Sequence, residues 1–469
     1  MSTHRTDPHR PAVHLRPPRG WINDPNGLVF HDGHYHVFFQ HNPHGTRHEN
    51  VHWGHFRSPD LVHWQLLPLA LTPTPGGYDA DGCFSGNAVG DGERLVAFYS
   101  AHRADRWWQP IAAADSLDGG LSWTKRPELV VPEPPSGSTM WRDPYVWRQD
   151  GGWRMLVGAA LADGRGAAFL YTSDDLEQWT YQGPFLTSEP EERSRPDTGW
   201  ECPQYADFGA LGGALIVSDW SPQDGPRGTQ VLTGRDRFAA PVPLDHGPDF
   251  YAPALLPAPD GRRLLWGWAR EARDADWADE SGWAGVLTVP RELTLTEDGT
   301  LRQEPARELL ALRGPQAVKS AGLSTAEDGP AELGPVGRCF DLTARLAVSG
   351  TGDASLRLVT SADGSERLDI RLDVTNHQLV VDRGHASLDP RAHGGSATMP
   401  CPAGPIELRL VVDHSIAELY LSTGQTLTLR FYPTGDAPWR IQAGGDLEYA
   451  VEAWELLPMP VDSTEGGQE

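Results

Sequence analysis

With 469 residues the chain is too long for one core of ordinary size, and two domains are expected. Hydrophobic residues at 39% and charged residues at 22% exclude a disordered chain, and a formal net charge of −25 argues against a nucleic-acid partner, which requires a basic face. The acidic residues are spread along the sequence, which reads as solubility.

The N-terminal arm, Met1 to Gly20, is rich in His, Arg and Pro and has no apolar segment of the kind a secretory signal requires. No apolar run approaches transmembrane length, so a soluble cytoplasmic protein without a membrane partner is expected. The four cysteines, Cys83, Cys202, Cys339 and Cys401, form no C-x-x-C pair and are too sparse for a disulfide framework.

Beyond the arm the chain repeats itself. Ser, an acidic turn, Leu and Trp recur as Ser58–Trp64, Ser116–Trp123 and Ser173–Trp179. Between these marks lie five openings: Asp24–Phe30, Phe84–Val89, Arg142–Val146, Glu201–Tyr205 and Asp249–Pro253. Each is followed by a Gly-containing turn and an apolar segment. Strands are predicted over His34–Phe39, Arg94–Tyr99, Trp153–Val157, Ala214–Val217 and Arg263–Trp268. Five such units predict an all-β catalytic domain, a five-bladed β-propeller over residues 1–300, whose openings converge on one axis.

The pattern then changes. Arg302–Arg313 suggests a short helix inside a Gly/Pro/Ala-rich linker, residues 301–337. Period-two alternation over Ser355–Val359, Leu368–Val374, Ile406–Val412, Glu418–Leu421 and Leu427–Phe431 predicts a C-terminal β-sandwich over 338–459. The acidic tail, 460–469, is expected to fray.

Three openings carry an acid at what reads as a matched position: Asp24, Asp143 and Glu201. Singly, an Asp before Pro is most often a turn residue. Three that converge supply what glycoside hydrolysis needs, one carboxyl to attack or activate water and one to protonate the leaving oxygen. Trp21, Trp53, Trp107, Trp108, Trp141, Trp200 and Trp268 lie near the openings and offer faces on which a sugar's C–H surface stacks. The recurrent Trp64, Trp123 and Trp179 read as packing. His34 and His36 share a strand face, yet no metal-ligand spacing accompanies them, so no metal site is expected. Neither a Gly-rich phosphate loop nor a G-x-S-x-G elbow is present.

Trp21-Ile-Asn-Asp-Pro-Asn-Gly27 resembles the signature of glycoside hydrolase family 32, the invertase and fructan-hydrolase family. Arg142-Asp-Pro144, Glu201-Cys202 and Trp283–Leu293 agree with it, as do Tyr35–Gln40, Trp53-Gly-His55, Phe84-Ser-Gly86 and Val412–Glu418, so the resemblance spans nearly the whole chain. It implies a five-bladed propeller followed by a β-sandwich, and a retaining hydrolase of terminal β-D-fructofuranosides such as sucrose or short fructans. By the same resemblance Asp24 is the nucleophile, Glu201 the acid/base, and Asp143 the residue that binds fructose hydroxyls and stabilises the transition state. Asn23, Gln40, Trp53, Phe84, Ser85, Arg142 and Trp268 fall where the family lines its sugar pocket. Neither metal nor organic cofactor is implied, and the partner is a small-molecule sugar.

Cys202, beside the acid, reads as a packing or tuning residue. Two departures touch the leaving-group side: His48 stands about where many members carry a loop Trp, and Asn87 where Ser is common. The alternatives are a fructosyltransferase on the same fold, a sucrose-6-phosphate hydrolase using Arg47 and His48, an arabinose-cleaving furanosidase and a non-catalytic binding protein. The Trp21–Gly27 run speaks against the third, and the presence of all three acids against the fourth.

Overall fold

The computed structural model describes residues 7–189, 199–349 and 354–463. The protein is nearly all β. Among the described residues the one α-helix is Ala275–Ser281, begun by the Asp274 carboxylate accepting from Trp277 N–H and ended by Gly282 at φ 74°. No described helix is long and apolar enough to cross a membrane.

Five sheets follow one another between residues 20 and 305. Their first strands are Gly20–His31, Gly82–Asp91, Ser138–Gln149, Gly199–Asp207 and Phe250–Pro257. Four hold their openings whole and the fifth holds all of its opening but Asp249, and each strand expected after an opening lies in the antiparallel second strand of its sheet. The first strands touch one another in cyclic order, the fifth returning to the first. Alternation explains how the sheets pack. Along Arg94–His102, Val96 and Phe98 join a core shared with the third sheet, while Ala97, Tyr99 and Ala101 join one shared with the first.

The recurrent Ser-acid-Leu-Trp mark is a turn joining the third and fourth strands of the first three sheets. Ser58, Ser116 and Ser173 Oγ accept the N–H of Leu61 (2.8 Å), Gly120 (2.9 Å) and Leu176 (2.9 Å), and Asp60, Asp118 and Asp175 accept the next amides. Leu61 and Leu176 are buried at φ 66°, and Gly120 takes that place at φ 83° in the middle copy. Leu121, the sequence match, is exposed instead.

Residues 313–456 build two six-stranded sheets around one apolar core that includes Phe340, Leu356, Ile370, Leu410 and Trp439. The expected linker is corrected here. Arg307–Leu312 is a short 3-10 helix, but Arg313–Ser324 and Ala331–Val336 are edge strands of the two sheets. Pairing with Leu447–Leu456 and Trp439–Gly444 overrides the weak strand propensity of their Gly, Pro and Ala. The tail is corrected in part: Val461–Ser463 pairs in parallel with Trp64–Leu66, and 464–469 lie outside the described residues.

A buried polar seam joins the five-sheet part to the six-stranded sheets. His14 bridges Asp413 and Glu418 at 2.9 Å each, and Arg291 bridges Glu418 (2.7 Å) and Asp245 (2.9 Å), with all five side chains sealed from solvent. Asp413 also accepts the backbone N–H of Ala12, Val13 and His14 (2.7–3.0 Å), which anchors the arm. The Trp283–Leu293 and Val412–Glu418 runs therefore meet here, in a joint and not in the site.

Candidate active site

Every first strand gains one residue on its partner at a corresponding point. The register slips between Ile22 and Pro25, Cys83 and Gly86, Arg142 and Pro144, Glu201 and Gln204, and Tyr251 and Ala254. Such a bulge bends the strand and re-aims a side chain. Pro follows in four strands (Pro25, Pro144, Pro203, Pro253) and Gly86 in the other, and Pro is tolerated where the ladder is already broken. Aligned on that residue, the strands present two rows of side chains: Asp24, Ser85, Asp143, Cys202 and Ala252 in one, Asn23, Phe84, Arg142, Glu201 and Tyr251 in the other. Asp143, Cys202 and Ala252 sit at φ 66°, 46° and 45°. The expectation of three acids at one matched position is thus corrected. Glu201 lies one residue early, beside Arg142 and Tyr251, and Cys202 holds the position that matches the two aspartates.

Asp24 is buried and accepts from Ser85 Oγ (2.5 Å), Asn23 Nδ2 (3.0 Å) and Gln40 Nε2 (3.2 Å). Burial lifts its pKa to about 6; the Ser85 hydrogen bond opposes the shift and the Glu201 charge adds to it. Asp143 is lifted to about 7, by burial first and the Glu201 charge second, with Arg142 opposing. Its Oδ2 accepts the Cys202 N–H (3.1 Å), and its own N–H donates to Ser100 Oγ (2.7 Å). Cys202 Sγ stands 3.6 Å from both Asp24 Oδ2 and Asp143 Oδ2, and burial beside these acids pushes its thiol well up, so it remains a protonated spacer between them. Glu201 Oε1 accepts the Nε (2.9 Å) and Nη2 (2.6 Å) of Arg142, and its Oε2 accepts Tyr251 Oη (2.6 Å). The Arg142 guanidinium lies over Trp220, 4.7 Å from the ring centre.

The other residues singled out from sequence divide into wall and support. Gln40 bonds both Ser85 and, through Oε1, His48 Nε2 (3.1 Å), whose pKa burial pulls down to about 4, leaving a neutral imidazole. Phe84 stacks on His102 (4.2 Å) and meets His48 edge-on (5.1 Å). Trp21 and Trp268 meet edge-on at 5.6 Å; Trp21 Nε1 donates to Asn23, and Trp268 Nε1 has no hydrogen-bond partner among the described residues. Trp53 is corrected from wall to support: it is 0% exposed and its Nε1 donates to the Phe84 carbonyl (3.0 Å), propping that residue from behind. Trp141 and Trp200 are likewise buried in inter-strand cores. Asn87 belongs to the frame, since its amide grips both the N–H (2.8 Å) and the carbonyl (3.0 Å) of Val146 on the next first strand.

Tyr251, Ser100 and Trp220 were not anticipated. Tyr251 was legible, because it precedes Pro253 by the two residues that separate Arg142 and Glu201 from theirs. His36 and His55 form a buried pair (2.9 Å) with lowered pKa values, burial being the chief cause, and among the described residues no group of three ligand-type side chains is placed to hold a metal.

Residues 14–305 match the glycosyl hydrolases family 32 N-terminal domain, and residues 308–454 match the glycosyl hydrolases family 32 C terminal. A sucrose-6-phosphate hydrolase of Bacillus subtilis is 36% identical over 482 residues, covering 96% of this chain and 95% of that protein. A raffinose invertase of Escherichia coli is 32% identical over 463 residues, covering 93% and 92%. The structure of a sucrose-6-phosphate hydrolase from Lactobacillus gasseri superposes with a TM-score of 0.83 at 27% identity, covering 97% of this chain and 94% of that one. With relatives alike along nearly their full length and family models spanning both parts of the molecule, the chain belongs to glycoside hydrolase family 32 and is a glycosidase that cleaves fructofuranosides.

Proposed function

We propose that the protein hydrolyses terminal β-D-fructofuranosides, sucrose or short fructo-oligosaccharides, with retention of configuration. In this reading the five sheets are the blades of a five-bladed β-propeller, supported by the cyclic contact of their first strands, and the two six-stranded sheets are a β-sandwich, supported by their shared core. Asp24 attacks the anomeric carbon and forms a fructosyl ester. Glu201 protonates the departing oxygen and then takes a proton from the water that cleaves the ester, while Asp143 holds fructose hydroxyls. The observation that carries the reading is the division into two rows. It gives Asp24 a wall of donors that leaves it accepting, and gives Glu201 a forked cation and a phenol that hold its orientation.

The test separates the two carboxyl groups by task. Glu201→Ala should slow fructosyl-enzyme formation on sucrose by about 10² to 10⁴ and far less on an aryl fructoside, whose phenolate leaves unaided. Added azide should then speed turnover and yield a β-fructosyl azide. Equal losses on both substrates without an azide response would remove Glu201 from the acid/base role.

A second reading, phosphorylated sucrose as the substrate, is favoured by the names of the Bacillus and Lactobacillus relatives; His48 and His102 flank Phe84, but with pKa values lowered by burial they offer a phosphate neutral N–H donors and no charge. The ratio of kcat/KM on sucrose 6-phosphate to that on sucrose decides between them, a ratio near one or below rejecting the second.

A further inference from the structure

The arginines of the N-terminal arm are not used by the chemistry above, and among the described residues Arg10 and Arg16 make no ion pair. A cavity of about 340 Å³ lies between the arm and a wall that includes Leu66, Met459 and Val461, and it shares no residue with the acidic site. Arg10 and Arg16 both line it. Arg10 Nη2 donates to the Pro18 carbonyl; Arg16 donates from Nε to the Pro11 carbonyl (3.1 Å) and from Nη1 to the Pro17 carbonyl (3.2 Å). Among the described residues neither guanidinium pairs with a carboxylate, although the whole chain carries 64 acids against 39 Lys and Arg.

The two acids whose charges reach these arginines, Asp7 and Asp413, accept their hydrogen bonds from other groups. Asp413 is taken up by three arm amides and His14. Asp7 is taken up by His9, Arg273 and the Trp283 indole. Burial, and then the charge of Arg10, pull Arg16 down to about 9. Two like charges in a partly dry cavity repel, and backbone carbonyls together with the charges of Asp7 and Asp413, which lie beyond ion-pair distance, offset only part of that cost.

We propose that Arg10 and Arg16 form a binding site for a small dianionic oxyanion of the phosphate class, separate from the fructoside site. The planar fork of a guanidinium suits tetrahedral oxyanions, and two forks match two negative charges. Free phosphate needs only the two arginines. The apolar wall of Leu66, Met459 and Val461 leaves room for the carbon skeleton of a sugar phosphate.

The experiment is thermal unfolding of the full chain while sodium phosphate is titrated at constant ionic strength against sodium chloride, with parallel arms of glucose 6-phosphate and glucose. Phosphate should raise Tm saturably, by about 2 °C, and glucose should not. Saturation at a lower concentration of glucose 6-phosphate than of phosphate would identify the sugar phosphate as the better ligand. Arg10→Gln, which removes a half-exposed side chain bonded only to a carbonyl, should weaken the response at least tenfold in concentration, and the Arg10→Gln/Arg16→Gln pair should abolish it. A wild-type response no larger than that to chloride overturns the site. So does a response that survives intact in Arg10→Gln, which would place the anion elsewhere, the fructoside pocket included.

Discussion

Asp24 and Asp143, where the first strands converge, and Asp413 and Glu418, in the seam, are buried acids shifted in opposite directions. At the convergence of the first strands the Arg142 guanidinium is bonded to Glu201 and its charge reaches Asp143, and both Asp24 and Asp143 are pushed up. In the seam Asp413, Glu418 and Asp245 face His14 and Arg291, and there Asp413 is pulled down and Glu418 drops to about 2. Burial is the largest single influence on all four shifted acids and always acts upward. What decides the sign is whether enough cations and donors are buried alongside. A matched cluster makes a joint; an under-matched one makes carboxyl groups that exchange protons near neutral pH.

The largest effect should come from Asp24→Asn. Loss of the proposed nucleophile should lower kcat/KM on sucrose by about 10⁴-fold or more, while the neutral amide should relieve crowding and raise Tm. A variant that is inactive and also less stable would break the contrast between the clusters. The seam should respond the other way. Glu418→Gln leaves Arg291 and His14 under-compensated, and chemical denaturation should show a loss of about 3–5 kcal/mol with turnover per folded molecule unchanged. A loss below about 1 kcal/mol would show the seam to be no joint.

The pH dependences sharpen the comparison. In the proposed reaction Asp24 must be ionised to attack, so the acid limb of kcat/KM should fall through about pH 6. Because Asp24 and Asp143 are raised, ionising them costs the folded state, and their contribution to stability declines as pH rises from the ordinary carboxylate range through about 7. In the seam His14 is raised to about 9 because its bonds to Asp413 and Glu418 outweigh burial. Its contribution is fully present below the ordinary histidine value and is lost as pH rises through about 9, while that of Glu418 is lost only as pH falls toward about 2. Denaturation midpoints across the pH range would show both slopes. The smallest effect is Ser85→Ala, which removes the hydrogen bond opposing the rise of Asp24 and should move the acid limb upward by roughly half a unit to one unit.

How far the sequence could be read depended on which interactions are local. Strand positions were legible because alternation and turn residues sit side by side, and the openings because each combines Pro or Gly with aromatic neighbours. The offset between Glu201 and the two aspartates was not, because it depends on which residue of each strand is left unpaired opposite the second strand. Trp53 read as a sugar contact because nothing local tells a ring that faces a pocket from one that props Phe84 from behind. The strands at 313–336 were hidden for the same reason: their partners lie more than a hundred residues away and their own composition is that of a loop. The seam was present as two family-like runs, 283–293 and 412–418, whose meeting only the fold reveals.

The first sheet borrows both of its edges. Trp283–Ala284 lies beside Gly20–Trp21, and Val461–Ser463 lies beside Trp64–Leu66, while the arm leading into the sheet is tethered by Asp413. A ribosome delivers residues in order, at about 5–20 per second, so this sheet emerges early and waits on the order of tens of seconds for the strand that closes its outer edge. During that interval its bare backbone is a template for pairing with other nascent chains. Assembly is therefore completed by residues made long after the sheet they close, and dependence on a holding chaperone during synthesis, together with aggregation of chains cut short before residue 461, is expected from where those two short strands come from.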